Sequence, residues 1–184
     1  MTAARGGWPA DILHFWFHVL RPEQWFGRSD AVDAALARRY GRWLRVLRAC
    51  RPEVFVKDRR VARAAILLFD QVSRNTLRQN RQAFAADPLA RAICKRALAR
   101  GWDRGLSKAE RQFLLMPLMH SESIADQRQS LRLFTRLGDP AITGFARDHW
   151  RMVARFGRFP HRNPVLGRRS TPAEERAVAA GHAW

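Results

Sequence analysis

Lysine is nearly absent from this chain. Of its 34 basic residues only Lys57, Lys95 and Lys108 are lysines, and the rest are arginines. Cysteine is scarce too: Cys50 and Cys94 stand alone, in no motif spacing. That scarcity excludes a disulfide framework and a Cys-rich zinc site, and fits a reducing compartment. No apolar run reaches the length that spans a bilayer. The apolar stretch "DILHFWFHVL" is interrupted by Asp11, His14 and His18 and lacks the form of a secretory signal. A soluble cytoplasmic protein is expected. Also missing are a Gly-rich phosphate loop, a dinucleotide fingerprint, an EF-hand loop and a Gly-x-Ser-x-Gly elbow. Alternating Val/Ile/Thr runs bounded by turns do not occur, which excludes a sheet protein.

What is present is a chain of 184 residues, 47% hydrophobic, large enough for one core and read as a single domain over 1–184. Its 16 acidic residues leave a formal net charge of +18 and a pI near 11.7. Such a charge favours an anionic partner: a nucleic acid, a membrane surface or an acidic ligand. The arginines are spread along the whole chain, and GC-rich coding alone produces that bias. Charge by itself therefore selects no function.

Apolar spacing is helical almost throughout, so the fold class is all-α, with about eight helices joined by short loops. A first helix is expected near Pro9 and a second from a cap at Asp30, with Val32, Leu36, Tyr40, Trp43 and Leu47 near one face. A third covers about Val61 to Ser73. Asp87-Pro88 reads as a cap followed by a first-turn proline, in a helix that stops at Gly101. Ser107 and Glu110 form a capping box, and Pro117 should kink or end the helix they open. Further helices end at Gly138, begin at Asp139-Pro140, and begin at Thr171-Pro172 with Glu174 three residues on.

Three stretches mix apolar and polar residues in an unusual way. In "AAILLFDQVSRN", Asp70, Gln71, Arg74 and Asn75 fall within an arc of about 140°. They form either a surface Asp70–Arg74 pair at i, i+4 or a partly buried cluster on a cavity. In "FLLMPLMHSESIADQ", His120 beside Glu122 has the makings of an acid–base pair, since a carboxylate orients an imidazole and raises its basicity. Alternatively Ser121 or Glu122 caps the next helix. In the third stretch His149 lies on an apolar stripe with Ile142, Phe145, Met152, Val153 and Phe156. It is followed by "RFGRFPHRN", which carries Arg158, His161, Arg162 and Asn163. Arginine forks suit a carboxylate or phosphate, and equally tie a loop to the carbonyls of a helix end. Asn163 binds a ligand or caps a turn. No local metal spacing, such as His-Glu-x-x-His, links His120, Glu122, His149, His161 and Asp70. No metal or cofactor is assigned.

These stretches together resemble the bacterial proteins grouped as domain-of-unknown-function family 924. The matching segments are "ILHFWF", "WFGRSDAVD", "LLFDQVSRN", "AFAADPLA", "RQFLLMPLMHSE", "ADQRQSLRLF" and "RFGRFPHRNPVLGRRSTPAEE", from about Ile12 to Glu175. The resemblance implies an all-helical, TPR-like antiparallel array and a set of motif residues, with no established substrate. Three positions depart from the family's usual pattern. Val72-Ser73 stands where Phe-Pro is common, and Leu115 where Tyr is common. The three polar stretches coincide with the family's motif stretches, which suggests one composite pocket.

The leading expectation is a binder or enzyme acting on a small anionic or polar metabolite. Arg74, Arg158 and Arg162 would hold the ligand, with Gln71, Asn75, His149 and Asn163 as further contacts. His120 or His161 would move a proton, with Glu122 or Asp70 orienting it. A TPR-like module gripping a peptide is the alternative. Electrostatic nucleic-acid binding is a second, with Trp8, Trp25, Trp43, Trp102, Trp150 and Trp184 as stacking candidates.

Overall fold

The computed structural model describes residues 7–181, and these are helical without a strand. Trp184 lies outside them. The chain divides into two compact units. Unit 1 holds the chain up to Arg78 together with Gln82–Pro117, and unit 2 holds Gln79–Arg81 and the chain from Leu118 onward.

Unit 1 is built around one buried helical rod. Helix α1 (Gly7–His14) continues as a π-helical turn, Phe15–Val19. Helices α2 (Pro22–Phe26) and α3 (Asp30–Leu47) follow. The rod itself is α4 (Arg59–Ile66), a π-helical turn (Leu67–Val72) and α5 (Ser73–Thr76) in unbroken succession. From Ala64 to Ser73 every residue is buried, because α1, α3 and α6 (Asp87–Ala99) pack around it. A helix enclosed on all sides must be apolar on all sides, as "AAILLF" is. Next to it Phe113, on α7 (Lys108–Met119), is ringed by Trp16, Phe17, Trp25 and Phe26 at 5.2–5.9 Å between ring centres. Edge-to-face contacts of this kind add to simple area burial.

Unit 2 is a helical hairpin with a folded tail. Helices α8 (Ile124–Leu137) and α9 (Pro140–Phe156) pack on each other, joined through Gly138 at φ 72°. Gly157, at φ 71°, ends α9. A 3₁₀ turn (Pro160–Arg162), α10 (Asn163–Leu166) and α11 (Pro172–Ala179) then fold back. Phe159 and Ala177 close a small core with Met152, Val153 and Phe156.

The helical periods are as the sequence predicts, and several boundaries differ. Ser29, rather than Asp30, caps α3 by accepting from the Val32 N–H. Asp58 caps α4. Asp87 is the first residue of α6 rather than its cap, which leaves its carboxylate for another partner. Pro117 does not end α7, which runs two residues further. Helix α8 starts from Ser123, not Ser121 or Glu122. The boxes at Ser107/Glu110 and Thr171/Glu174 and the Asp139 cap form as expected.

Candidate functional site

The sequence-predicted residues fall into two groups. Asp70, Gln71, Arg74 and Asn75 belong to unit 1, and the other seven belong to unit 2.

In unit 1 the polar group is internal. Asp70 is 1% exposed. Gln71 Nε2 donates to its Oδ2 at 2.6 Å, and Arg74 Nη1 lies 3.2 Å from its Oδ1. Arg74 also makes a two-pronged bond to Asp87 at 3.0 and 2.9 Å and donates to the Asp70 carbonyl at 2.7 Å. Burial opposes the Arg74 charge, but Asp70 and Asp87 outweigh it and raise its pKa. The surface-pair reading of Asp70–Arg74 therefore gives way to a buried one. Asp87-Pro88 has the pattern of a helix cap, and only the fold shows that Asp87 faces Arg74. The helix continues through Val72-Ser73 to Thr76. Ser73 donates its Oγ–H to the Phe69 carbonyl at 2.6 Å.

In unit 2 one end of the hairpin gathers rings and charges. His149 lies 6.1 Å from His120 and 5.4 Å from Phe159 between ring centres. Phe159 stands 5.7 Å from His161, and the Arg162 guanidinium sits over the Phe159 ring at 4.5 Å. His149 is 5% exposed and its Nδ1 is 2.8 Å from the Phe145 carbonyl. Burial first, then the charges of His120, Arg162 and His161, push its pKa down to about 3. The ring is thus neutral at pH 7. A carbonyl only accepts, so the proton is on Nδ1 and Nε2 carries a lone pair.

Glu122, Arg158 and Asn163 frame this cluster. Glu122 accepts two bonds from Arg168 at 2.8 and 2.9 Å and one from the Phe159 N–H at 2.8 Å. Burial pushes its pKa up, and these donors more than reverse the effect. Arg158 makes a two-pronged bond to Glu174 at 2.7 and 2.9 Å and reaches the Arg169 carbonyl. Its guanidinium holds the Glu174 carboxyl down to about 2. Asn163 is fully buried; its Nδ2 donates to Ser170 Oγ at 3.0 Å, while its Oδ1 meets no donor among the described residues. Arg168 is absent from the sequence reading, which gives Glu174 only its capping partner Thr171. Both lie in the same motif stretch, yet nothing in their spacing announces the contacts to Glu122 and Arg158. Gln127 escaped as well: its Nε2 donates to the Met119 and Ser121 carbonyls at 2.6 Å and so caps the end of α7.

Among the described residues no three His, Cys, Asp or Glu side chains converge as a metal ion would require. No helix there is long and apolar enough to cross a membrane. The unit 2 arrangement is instead a cluster of two half-buried imidazoles, a neutral acceptor imidazole and a buried guanidinium.

The family model described as "Bacterial protein of unknown function (DUF924)" matches residues 12–182. A solved structure of a protein of unknown function, ATU0120 from Agrobacterium tumefaciens, is 34% identical to this chain. The two superpose with a TM-score of 0.88, covering 94% of this chain and 97% of the other. No curated protein matches. The match over nearly the whole length, together with the motif stretches placed above, shows that the chain belongs to the bacterial DUF924 family.

Proposed function

We propose that unit 2 binds a small anionic or polar metabolite at the His120–His149–His161–Arg162 cluster. The observation that supports this most is the convergence of groups that carry or accept positive charge around His149. Such a locus lowers the cost of bringing in an anion. Arg162 supplies a planar fork for a carboxylate or phosphate. His149 Nε2, bare of a proton, accepts a hydrogen bond from a ligand hydroxyl or amide. His120 and His161 are the groups assigned to proton transfer. Glu122–Arg168 and Arg158–Glu174 fix the loop that carries Phe159, His161 and Arg162. In unit 1, Asp70, Gln71, Arg74 and Asn75 are assigned to ligand contact only in the sense of a polar family motif, with no chemical step.

The test is a thermal-shift series at pH 7 with inorganic phosphate, sulfate and small dicarboxylates. The wild-type protein should be stabilised by one of these classes at millimolar concentration. Arg162→Gln and His161→Gln should each abolish that shift while leaving the circular dichroism spectrum unchanged. Equal shifts in the wild-type protein and both variants, or none with any anion, would overturn the proposal.

A further inference from the structure

Helices α8 and α9 each carry a row of exposed arginines. On α8 the row is Arg128, Arg132 and Arg136, and on α9 it is Arg147, Arg151 and Arg155; all six are exposed. Both rows repeat every fourth residue, so each is a stripe along one helix side with steps of about 6 Å. Arg151 is paired with Asp148 at 3.2 Å, and Arg155 covers the Phe156 ring at 4.9 Å. Among the described residues the other four, Arg128, Arg132, Arg136 and Arg147, enter no ion pair. Between the helices lies an open groove of about 470 Å³ lined by Arg128, Leu131, Arg132 and Trp150. Trp150 is half-buried and makes no ring contact among the described residues.

We propose that this face binds single-stranded nucleic acid, the arginine rows holding successive phosphates and Trp150 stacking a base in the groove. Exposed guanidinium rows in which only Arg151 has a carboxylate partner complement a polyanion, and their step is on the scale of consecutive phosphates in an extended strand. A stacking ring in the groove beside Arg128 and Arg132 is the element that separates a nucleic acid from any other polyanion. Helix α3 also bears exposed arginines, at 38, 42 and 45, but its Trp43 already meets Trp8 at 6.1 Å. That helix offers charge without a vacant ring.

The experiment is fluorescence anisotropy of a labelled 20-nucleotide oligo-dT with the full chain, at several salt concentrations. Arg128→Gln with Arg132→Gln should weaken binding at least tenfold. It should also flatten the slope of log affinity against log salt by about 1.4, the release expected from two phosphates of a single strand. Arg38→Gln with Arg42→Gln should change affinity less than twofold. Trp150→Ala should weaken binding about tenfold, with Trp150→Phe restoring most of it. Ultraviolet cross-linking of the wild-type protein should map to the α8–α9 segment, which covers the case of a variant that fails to fold. Equal loss in the α3 control pair, a cross-link elsewhere, or duplex DNA or polyglutamate binding as tightly as the single strand would each overturn the proposal.

Discussion

His149 shows how a single buried side chain ties the candidate site to stability. Its pKa of about 3 in the fold lies below the ordinary 6.5. Between those two values the unfolded chain takes up a proton that the folded chain refuses, so the unfolded state binds more protons. The stability involved is complete above pH 6.5 and is lost as the pH falls toward 3. Urea denaturation at pH 7.0, 5.5 and 4.5 should show a progressive loss from this group, on the order of 3 kcal/mol by pH 4.5. His149→Gln should remove most of that pH dependence; an unchanged slope would mean that the ring protonates freely in the fold. The sequence placed His149 on an apolar stripe and left core and site readings open. The structure shows the ring buried, with His120 and Phe159 as its ring neighbours.

At the scale of elements, ion pairs do what spacing could not reveal. Helix α11 begins with a capping box that is legible in Thr171-Pro172-Ala173-Glu174. What holds the helix in place is the Arg158–Glu174 bond, a contact across 16 residues. Glu174→Gln keeps a cap of similar shape but loses the charged partner. Hydrogen exchange in Pro172–Ala179 and in the loop at Arg168–Ser170 should rise at least tenfold, while α8 and α9 stay protected. Unchanged exchange would show that the cap and the Ala177 packing suffice alone. The same principle moved Asp87 from a helix cap to a partner of Arg74. A carboxylate at a helix start has both uses, and only the tertiary fold chooses.

At the scale of the whole molecule the net charge of +18 sets the behaviour. Like charges at this density repel one another and weaken the compact state. Salt screens that repulsion over about 8–10 Å at physiological strength. The melting temperature should therefore rise by several degrees between 20 and 200 mM sodium chloride at pH 7. A fall would mean that ion pairs such as Arg39–Asp11 and Arg78–Asp33 outweigh the repulsion. Composition alone left the arginines without an address. The hairpin exposes six of them on its two helices and sets Trp150 in a groove with Arg128 and Arg132.

The sequence by itself determined the all-helical class, the helical periods, most helix starts and the family. These depend on neighbours within four residues: apolar spacing, capping side chains and the φ preferences of Gly and Pro. It also marked the stretches where polar residues collect at helix ends. Tertiary structure decided which of those residues meet. It buried Asp70 with Arg74 and Asp87, gave Glu122 to Arg168 and Phe159, gave Arg158 to Glu174, and set His120, His149, His161 and Arg162 around Phe159. The Arg74–Asp87, Arg158–Glu174 and Glu122 pairings span 13 to 46 residues. No periodicity encodes a contact at such separations; burial and charge select it once the helices have packed.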